Sequence, residues 1–204
     1  MLDAAGTLLA PAEPVAATYA REAAAYGCSL SVAQIGARLV EEMGRAAPLR
    51  RASPDWRPYW ERVVAHCTGV GDPALVDALV EHFRRGEAWR VAAGATELCT
   101  QLRERGLGLA IVSNWDNNLR PLLGQLGVDR WVDVIVVSGE EGIEKPDAEI
   151  FHRACARLGV EPARALHVGD SRRADVEGAR GAGCQALWFG HEVEDFPALG
   201  RLLL

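Results

Sequence analysis

The stretch Leu2-Asp3-Ala4-Ala5-Gly6-Thr7-Leu8 lies at the start of the 204-residue chain and sets its predicted fold. It places a carboxylate, Asp3, at the end of what we expect to be a very short strand. A Gly6-Thr7 turn follows at once, and a helix-rich segment comes next. Only two residues precede Asp3, so either the first strand is short here or the natural chain starts upstream. Two positions after the acid stands Ala5, which carries no ionisable group.

The composition is that of a globular protein, with 49% hydrophobic and 25% charged residues. A chain of this length suits one domain, or a core domain with a smaller insertion. The net charge of −6 and the lack of a basic cluster argue against a nucleic-acid partner. No apolar run approaches the ~20 residues that cross a bilayer, so we expect no membrane segment. The five widely spaced cysteines predict buried thiols in a cytoplasmic protein.

Lysine occurs once in the sequence. Of the 22 lysine and arginine residues, only Lys145 is lysine. A compact ammonium and a planar guanidinium differ in the hydrogen bonds they make, so this exception marks position 145 as a candidate functional residue.

Residues 12–86 carry helical periodicity throughout and predict an all-helical block. The first helix is expected to end at Tyr26-Gly27 and the second at Gly44. The pairs Ser53-Pro54 and Asp72-Pro73 are typical of an N-cap followed by the first helical residue, and they predict the start of a third and a fourth helix.

From residue 87 onward, predicted strands and helices alternate. The strands are expected over 109–112, 132–137, 165–168 and 185–189. The helices are expected over 94–105, 119–126, from just after Pro146 to 158, and 175–182. This alternation predicts an α/β fold with a doubly wound parallel sheet and right-handed crossovers. The core domain is expected to comprise residues 1–11 and 87–204, with 12–86 as an insertion.

Four polar residues fall near the carboxyl ends of the predicted strands. Asp3, Ser113 and Asp170 each lie just past a strand end, and Lys145 lies in the loop after another strand. Open α/β sheets bind ligands in the crevice outside these ends. The sequence therefore predicts that the four groups converge on one edge of the sheet.

Each of these groups has a chemical role if the substrate carries a phosphoryl or similar electrophilic centre. Asp3 would attack it and form a covalent intermediate. Lys145 would neutralise both the attacking carboxylate and the substrate oxygens. Ser113 and the turn amides around Thr7 would donate hydrogen bonds to the transferring group.

The segment Gly169-Asp170-Ser171-Arg172-Arg173-Ala174-Asp175 sets two carboxylates five residues apart across a loop-to-helix junction. Carboxylate oxygens in such a place suit a hard cation held by few protein ligands and several waters. Asp170 and Asp175 are therefore predicted to bind Mg²⁺.

Together these segments resemble the haloacid dehalogenase-like (HAD) hydrolase superfamily. The four family motifs occur in order, as Asp3-Ala4-Ala5-Gly6-Thr7-Leu8, Val112-Ser113-Asn114, Lys145-Pro146-Asp147, and Gly169-Asp170 with Asp175. The resemblance implies a Rossmann-like core and a four-helix cap, residues 12–86, that closes over the site.

The same resemblance implies the roles of individual residues. Asp3 would be the nucleophile, with Lys145, Ser113 and Thr7 also catalytic, and Ser113, Asn114 and Lys145 would bind a small phosphorylated substrate. Mg²⁺ would be held by Asp3, the backbone carbonyl of Ala5 and Asp170, with Asp175 in support.

Ala5 separates the branches of the superfamily. The family's phosphatases carry a second Asp there, as general acid and then base, which is worth ~10²–10⁴-fold in rate. Phosphonate-cleaving members need a cap lysine, which residues 12–86 lack. Haloacid dehalogenases lack the second acid and use no metal, and Arg21 or Arg38 would serve as their substrate clamp. REG-2-like HAD proteins combine a non-acidic residue with an acidic last motif, and the chain most resembles these.

We therefore expect a Mg²⁺-dependent phosphate-ester hydrolase that works through an aspartyl-phosphate on Asp3, with weak acid–base catalysis. The alternatives are a 2-haloacid dehalogenase-type hydrolase and a catalytically weak ligand-binding or regulatory protein of the same fold.

Three further interpretations concern individual aromatic, histidine and acidic residues. Trp56 and Trp60 are expected in the core of the cap, His167 as a satisfied core histidine, and Trp115 with Asp116 as weaker candidates for substrate contact.

Overall fold

The computed structural model describes residues 1–53 and 55–204. The chain divides into two compact units, one made of Met1–Ala10 and Arg90–Leu204 and the other of Pro11–Trp89. Two short strands that the sequence did not predict, β1 (Leu9–Pro11) and β2 (Trp89–Val91), pair with each other.

The unit Pro11–Trp89 is built from helices. These are α1 (Val15–Ala24), α2 (Val32–Arg45), α3 (Ala47–Ala52), α4 (Arg57–Thr68) and α5 (Pro73–Phe83), followed by a 3-10 turn at Gly86–Ala88. The predicted N-cap at Asp72 is confirmed, because its side chain accepts a hydrogen bond from the Ala74 amide. Of the predicted start at Ser53-Pro54, Pro54 lies outside the described residues, and α4 begins at Arg57. The short α3 was not expected, and a proline in its first turn suits its start.

Apolar side chains of α1, α2, α4 and α5 form the core of this helical unit. Tyr19, Ile35, Tyr59 and Leu75 are all buried in it. Trp56 is buried in the same cluster and Trp60 packs against it, which confirms the prediction for both. Among the described residues no single helix is long and apolar enough to cross a membrane; α4 and α5 pass that test only as a pair bent by 106°.

The other unit contains a parallel sheet. Its strands are β3 (Ala110–Ser113), β4 (Val134–Val137), β5 (Leu166–Gly169) and β6 (Gln185–Trp188), which lie within the predicted segments to within one residue. β3 pairs with β4, from Ala110 opposite Val134 to Ser113 opposite Val137. β5 pairs with β6 in the same parallel sense.

Residues 1–3 join the two strand pairs into one sheet. Leu2 bridges Ile111 of β3 on one side and Val168 of β5 on the other, both in parallel. The spatial order is therefore β4, β3, residues 1–3, β5, β6. The predicted first strand is reduced to this short central segment, which carries the first motif into the middle of the sheet.

Helices and short turns complete this unit. They are α6 (Ala95–Glu104), α7 (Leu119–Gln125), α8 (Ser138–Glu141), α9 (Ala148–Leu158), α10 (Gly178–Gly181) and α11 (Phe196–Leu203), with 3-10 turns at Val128–Trp131 and Pro162–Arg164. The segment predicted as one helix over 175–182 is instead a π-helix, Arg172–Glu177, continued by α10. A buried apolar cluster of α9, α10 and strand residues packs together, with Val112, Val136 and Phe151 among its members. The fold is thus an α/β Rossmann-like sheet, as predicted.

Candidate active site

Asp3 is fixed by its backbone at the centre of the sheet. Its amide donates a hydrogen bond to the Val168 carbonyl at 2.9 Å, and the Leu2 amide donates to the Ala110 carbonyl at 2.8 Å. The Asp3 side chain is buried. These bonds bring the carboxylate to the carboxyl ends of β3 and β5, where the sequence placed it.

The Lys145 ammonium lies against this carboxylate and is buried with it. Its Nζ donates to Asp3 Oδ1 at 2.6 Å, to Asp175 Oδ1 at 2.6 Å and to the Val112 carbonyl at 2.8 Å. A lysine ammonium has three donors, and all three are used. In this structure, therefore, Lys145 binds Asp3 and Asp175, and it has no N–H left for a substrate.

Asn114 holds the backbone of Lys145. Its Oδ1 accepts a hydrogen bond from the Lys145 amide at 2.8 Å, and its Nδ2 donates to the Lys145 carbonyl at 2.9 Å. The side-chain amide thus serves one residue with both its oxygen and its nitrogen. Asn114 was predicted to bind substrate, but here its amide group is turned to the lysine loop.

Asp175 joins Asp3 and Lys145 from the π-helix. Its Oδ2 accepts from the Ser171 amide at 2.9 Å, and its Oδ1 accepts from Lys145. Carboxylate oxygens of Asp3, Asp170 and Asp175 all lie within 4.8 Å of one another. The three predicted acidic residues are therefore brought together, two of them buried and Asp170 open to solvent.

The electrostatics of this cluster show surplus negative charge. Burial raises the pKa of the Asp3 carboxyl, against the effect of Lys145. Burial also disfavours the charge on Lys145, but the two neighbouring aspartates outweigh it and raise the pKa of its ammonium. Burial acts likewise on Asp175, yet the Lys145 charge holds the pKa of that carboxyl well below its usual range. Partial burial and the charges of Asp3 and Asp175 raise the pKa of Asp170 to about 6.

This donor set fits a divalent cation. Three carboxylates face one ammonium, and like charges so close raise each other's pKa unless a cation is added. Oxygen ligands from carboxylates suit Mg²⁺ in particular. Asp3, Asp170 and Asp175 are the side chains that would hold it, and Ala5 is an exposed residue two positions after Asp3.

The turn after Asp3 is shaped by Gly6. Its φ is +78°, and a Cβ added there would lie 2.2 Å from Asp170 Oδ2. The amides of Gly6, Thr7 and Leu8 donate to backbone carbonyls of the turn itself. That turn amides around Thr7 donate to the transferring group stays a prediction. The Thr7 hydroxyl is different, because it is buried and has no hydrogen-bond partner among the described residues.

The loop after β3 is tied to the next strand. Ser113, predicted just past the strand, is the last residue of β3 and is buried. The Ser138 hydroxyl bonds both the amide and the carbonyl of Trp115 at 3.1 Å, and Asp116 Oδ1 accepts from the Asn118 amide at 2.9 Å.

The two arginines named as possible substrate clamps have partners within the helical unit: Arg21 pairs with Glu13, and Arg38 donates to the His66 carbonyl.

His167 belongs to the cluster, and the sequence interpretation missed this. The ring is buried, as expected, but its Nε2 lies 2.9 Å from Asp175 Oδ1 and its Nδ1 has no partner among the described residues. The prediction of a core histidine with all its hydrogen bonds made is therefore wrong. The signal was present: side chains two apart in a strand share a face, so His167 shares a face with Gly169. The glycine leaves the space that Asp175 occupies.

Comparison with protein families places the geometry in context. A sequence model described as haloacid dehalogenase-like hydrolase matches residues 1–183. Haloacid dehalogenase-like hydrolase domain-containing protein 3 of Mus musculus is 35% identical over 198 residues, which cover 91% of this chain and 78% of the mouse protein. Rhythmically expressed gene 2 protein of Drosophila melanogaster is 28% identical over 144 residues, 63% of this chain and 55% of that protein.

Solved structures show the same fold. An HAD phosphatase from Thermococcus onnurineus is 27% identical, with a TM-score of 0.65 over 92% of this chain and 84% of its own. L-2-haloacid dehalogenase from Xanthobacter autotrophicus, with chloropropionic acid covalently bound, is 20% identical, with a TM-score of 0.73 over 98% and 79%. Both a phosphatase and a dehalogenase thus share this architecture.

The close approach of Asp175 to β5 generates a prediction. A Cβ on Gly169 would lie 2.2 Å from Asp175 Cγ. We expect Gly169→Ala to lower the free energy of unfolding by about 1–3 kcal/mol, because the Asp175 side chain must move. Gly181→Ala is the matched control, since a Cβ there meets nothing within 4 Å and a helical alanine is favoured. Urea denaturation of both variants measures the difference, and equal stabilities would contradict the packing described.

Proposed function

Since the chain belongs to the haloacid dehalogenase-like hydrolases, we propose that it hydrolyses phosphate esters of small molecules with Asp3 as nucleophile and Mg²⁺ as cofactor. The observation that carries this proposal is the cluster of Asp3, Asp170 and Asp175, whose carboxylate oxygens lie within 4.8 Å of one another. Metal-free dehalogenation has no use for this third acid. A phosphate ester brings further negative charge and needs a cation to balance it.

In the first step, an Asp3 oxygen attacks phosphorus while the bond to the ester oxygen breaks and its electron pair leaves with that oxygen. Because Lys145 holds Oδ1, Oδ2 is the oxygen available for attack. The buried Thr7 hydroxyl, which has no partner within the described chain, would donate to the reacting group. Bound Mg²⁺ would neutralise charge shared between the carboxylates and the phosphoryl oxygens.

In the second step, water attacks the phosphorus of the aspartyl-phosphate, and inorganic phosphate leaves as the Asp3 carboxylate is restored. The family's second Asp would give the leaving oxygen a proton and later take one from the water. Position 5 is alanine, so both protons must be exchanged with solvent. Loss of this help is worth ~10²–10⁴-fold, which makes slow turnover part of the proposal.

The helical unit would act as a cap and select the substrate.

Haloacid dehalogenation is the second candidate. The observation that favours it is that Ser113-Asn114 and Lys145 occur together with Ala5, because dehalogenation needs no second Asp at position 5. In that reaction Asp3 would displace halide from carbon to form an ester, and water would then hydrolyse the ester.

The decisive experiment is an assay of the whole chain on p-nitrophenyl phosphate and a panel of phosphate monoesters, with Mg²⁺ and with EDTA. We expect Mg²⁺-dependent phosphate release that disappears in Asp3→Asn, because the amide is not a nucleophile. 2-Chloropropionate is tested in parallel for chloride release. Turnover that survives Asp3→Asn would refute the role of Asp3, and chloride release in EDTA would favour the dehalogenase.

The metal assignment is tested by Asp170→Asn. We expect this variant to bind Mg²⁺ more weakly by at least the ~10–100-fold that follows loss of a supporting group, because a carboxylate ligand is removed. Isothermal titration calorimetry measures the change without need of a substrate. Asp129→Asn, on the exposed surface, is the control. Unchanged affinity in Asp170→Asn would show that the metal lies elsewhere.

Lys145→Arg tests why lysine is kept at one position. The Nζ atom has three acceptors within 2.8 Å in a buried site, and a guanidinium is larger and planar. We expect turnover of p-nitrophenyl phosphate to fall by about 10²–10³-fold. Arg153→Lys, an exchange in surface ion pairs, is expected to be silent. A fully active Lys145→Arg enzyme would show that the ammonium has no special role.

A further inference from the structure

His167 is a buried histidine that the proposed chemistry does not use. It lies in β5 with no exposed surface, and its ring meets the ring of Phe151 edge-on at 5.1 Å. Its only polar contact among the described residues is Nε2 to Asp175 Oδ1 at 2.9 Å. The same Asp175 oxygen accepts from Lys145, which in turn binds Asp3. Three contacts thus connect the histidine to the carboxylate at the sheet centre.

The direction of the His167 hydrogen bond follows from Asp175. An ionised carboxylate only accepts, so Nε2 must carry the proton and donate it. Nδ1 has no hydrogen-bond partner among the described residues.

Because Nδ1 has no partner, we infer that the role of His167 is the hydrogen bond that Nε2 donates to Asp175. A buried ring nitrogen without a hydrogen-bond partner costs free energy. Phenylalanine or leucine would fill the space beside Phe151 without this cost. The donor on Nε2 is what such residues would lack.

We propose that His167 is a positioning residue, whose Nε2–H fixes the Asp175 carboxylate so that its Oδ1 holds the Lys145 ammonium against Asp3. Asp175 is then held at three points: by the Ser171 amide on Oδ2 and by His167 and Lys145 on Oδ1. Without His167, only the Ser171 amide and Lys145 hold the carboxylate, so it is less firmly fixed as the partner of Lys145 on the side away from Asp3.

The variants His167→Phe and His167→Gln separate packing from hydrogen bonding. Phenylalanine keeps the ring and removes the donor, whereas a glutamine Nε2 can place a donor near that of histidine. With p-nitrophenyl phosphate and Mg²⁺, we expect His167→Phe to lower kcat about 10- to 100-fold with little change in KM, and His167→Gln to restore most of it. His152→Phe, which removes a histidine hydrogen bond to the Ala182 carbonyl outside the cluster, is the control.

Equal loss of kcat in both His167 variants, or wild-type kcat in His167→Phe, would overturn the proposal. The activity readout rests on the proposed function, so a crystallographic readout accompanies it. In His167→Phe we expect the Asp175 carboxylate to be rotated and the contact from Lys145 Nζ to Asp3 to be lengthened, with both restored in His167→Gln. An unmoved Asp175 would refute the inference even if no phosphate ester were turned over.

The wild-type chain gives a third test that needs no variant to fold. Nitrogen NMR of ¹⁵N-histidine-labelled protein at neutral pH reports which ring nitrogen carries the proton. We expect His167 to carry a proton on Nε2. An Nδ1–H tautomer, whose Nε2 carries no proton, would show that the donor to Asp175 does not exist.

Discussion

The buried Lys145 ammonium is the interaction on which the sheet centre depends. Its three acceptors come from residue 3, from β3 and from the π-helix after β5, so one side chain ties together segments up to 142 residues apart. A buried charge is tolerated only when paired and fully hydrogen-bonded, and removing one partner of such a pair typically costs about 3–5 kcal/mol. Three acceptors around one nitrogen suit an ammonium, whereas a guanidinium spreads its donors in a plane. The only lysine in this arginine-rich sequence, Lys145, thus lies where an ammonium suits the three acceptors better than a guanidinium.

Small residues allow the charged groups to approach one another. Gly6 and Gly169 each lie where a Cβ would overlap a site carboxylate, that of Asp170 and that of Asp175 respectively. The π-helix Arg172–Glu177 then starts from Ser171, whose hydroxyl accepts from the Ala174 amide and whose own amide donates to Asp175. π-Helical turns are rare and occur often at functional sites. Backbone geometry, more than large side chains, therefore sets the distances within the acidic cluster.

The sequence predicted the sheet and the meeting of its polar residues for a clear physical reason. Buried parallel strands are short apolar runs, and their carboxyl ends lie at one edge, so Asp3, Lys145 and Asp170 had to come close. Periodicity carries no information on which hydrogen bonds those groups then make. The clamp of Asn114 on Lys145 and the contact of His167 with Asp175 depend on rotamers and strand register. Helices α3, α8 and α11 were also missed, because four to eight residues give little helical period to detect.

With alanine at position 5, the site has the charged groups that the proposed reaction needs but lacks the second Asp that would transfer protons. The ammonium, the three carboxylates and a cation that balances them would stabilise an attacked phosphoryl group. Lys145 has all three of its N–H groups bound, and the pKa of Asp175 is held low, so neither would supply the leaving oxygen with a proton. Asp170, whose pKa is raised to about 6, would be bound to the cation. A leaving oxygen that is stable as an anion needs no proton. Under the proposed mechanism, aryl phosphate esters and acyl phosphates, whose leaving groups are weak bases, would be the substrates best matched to the residues that remain, and alkyl phosphates would be penalised most by the loss at position 5.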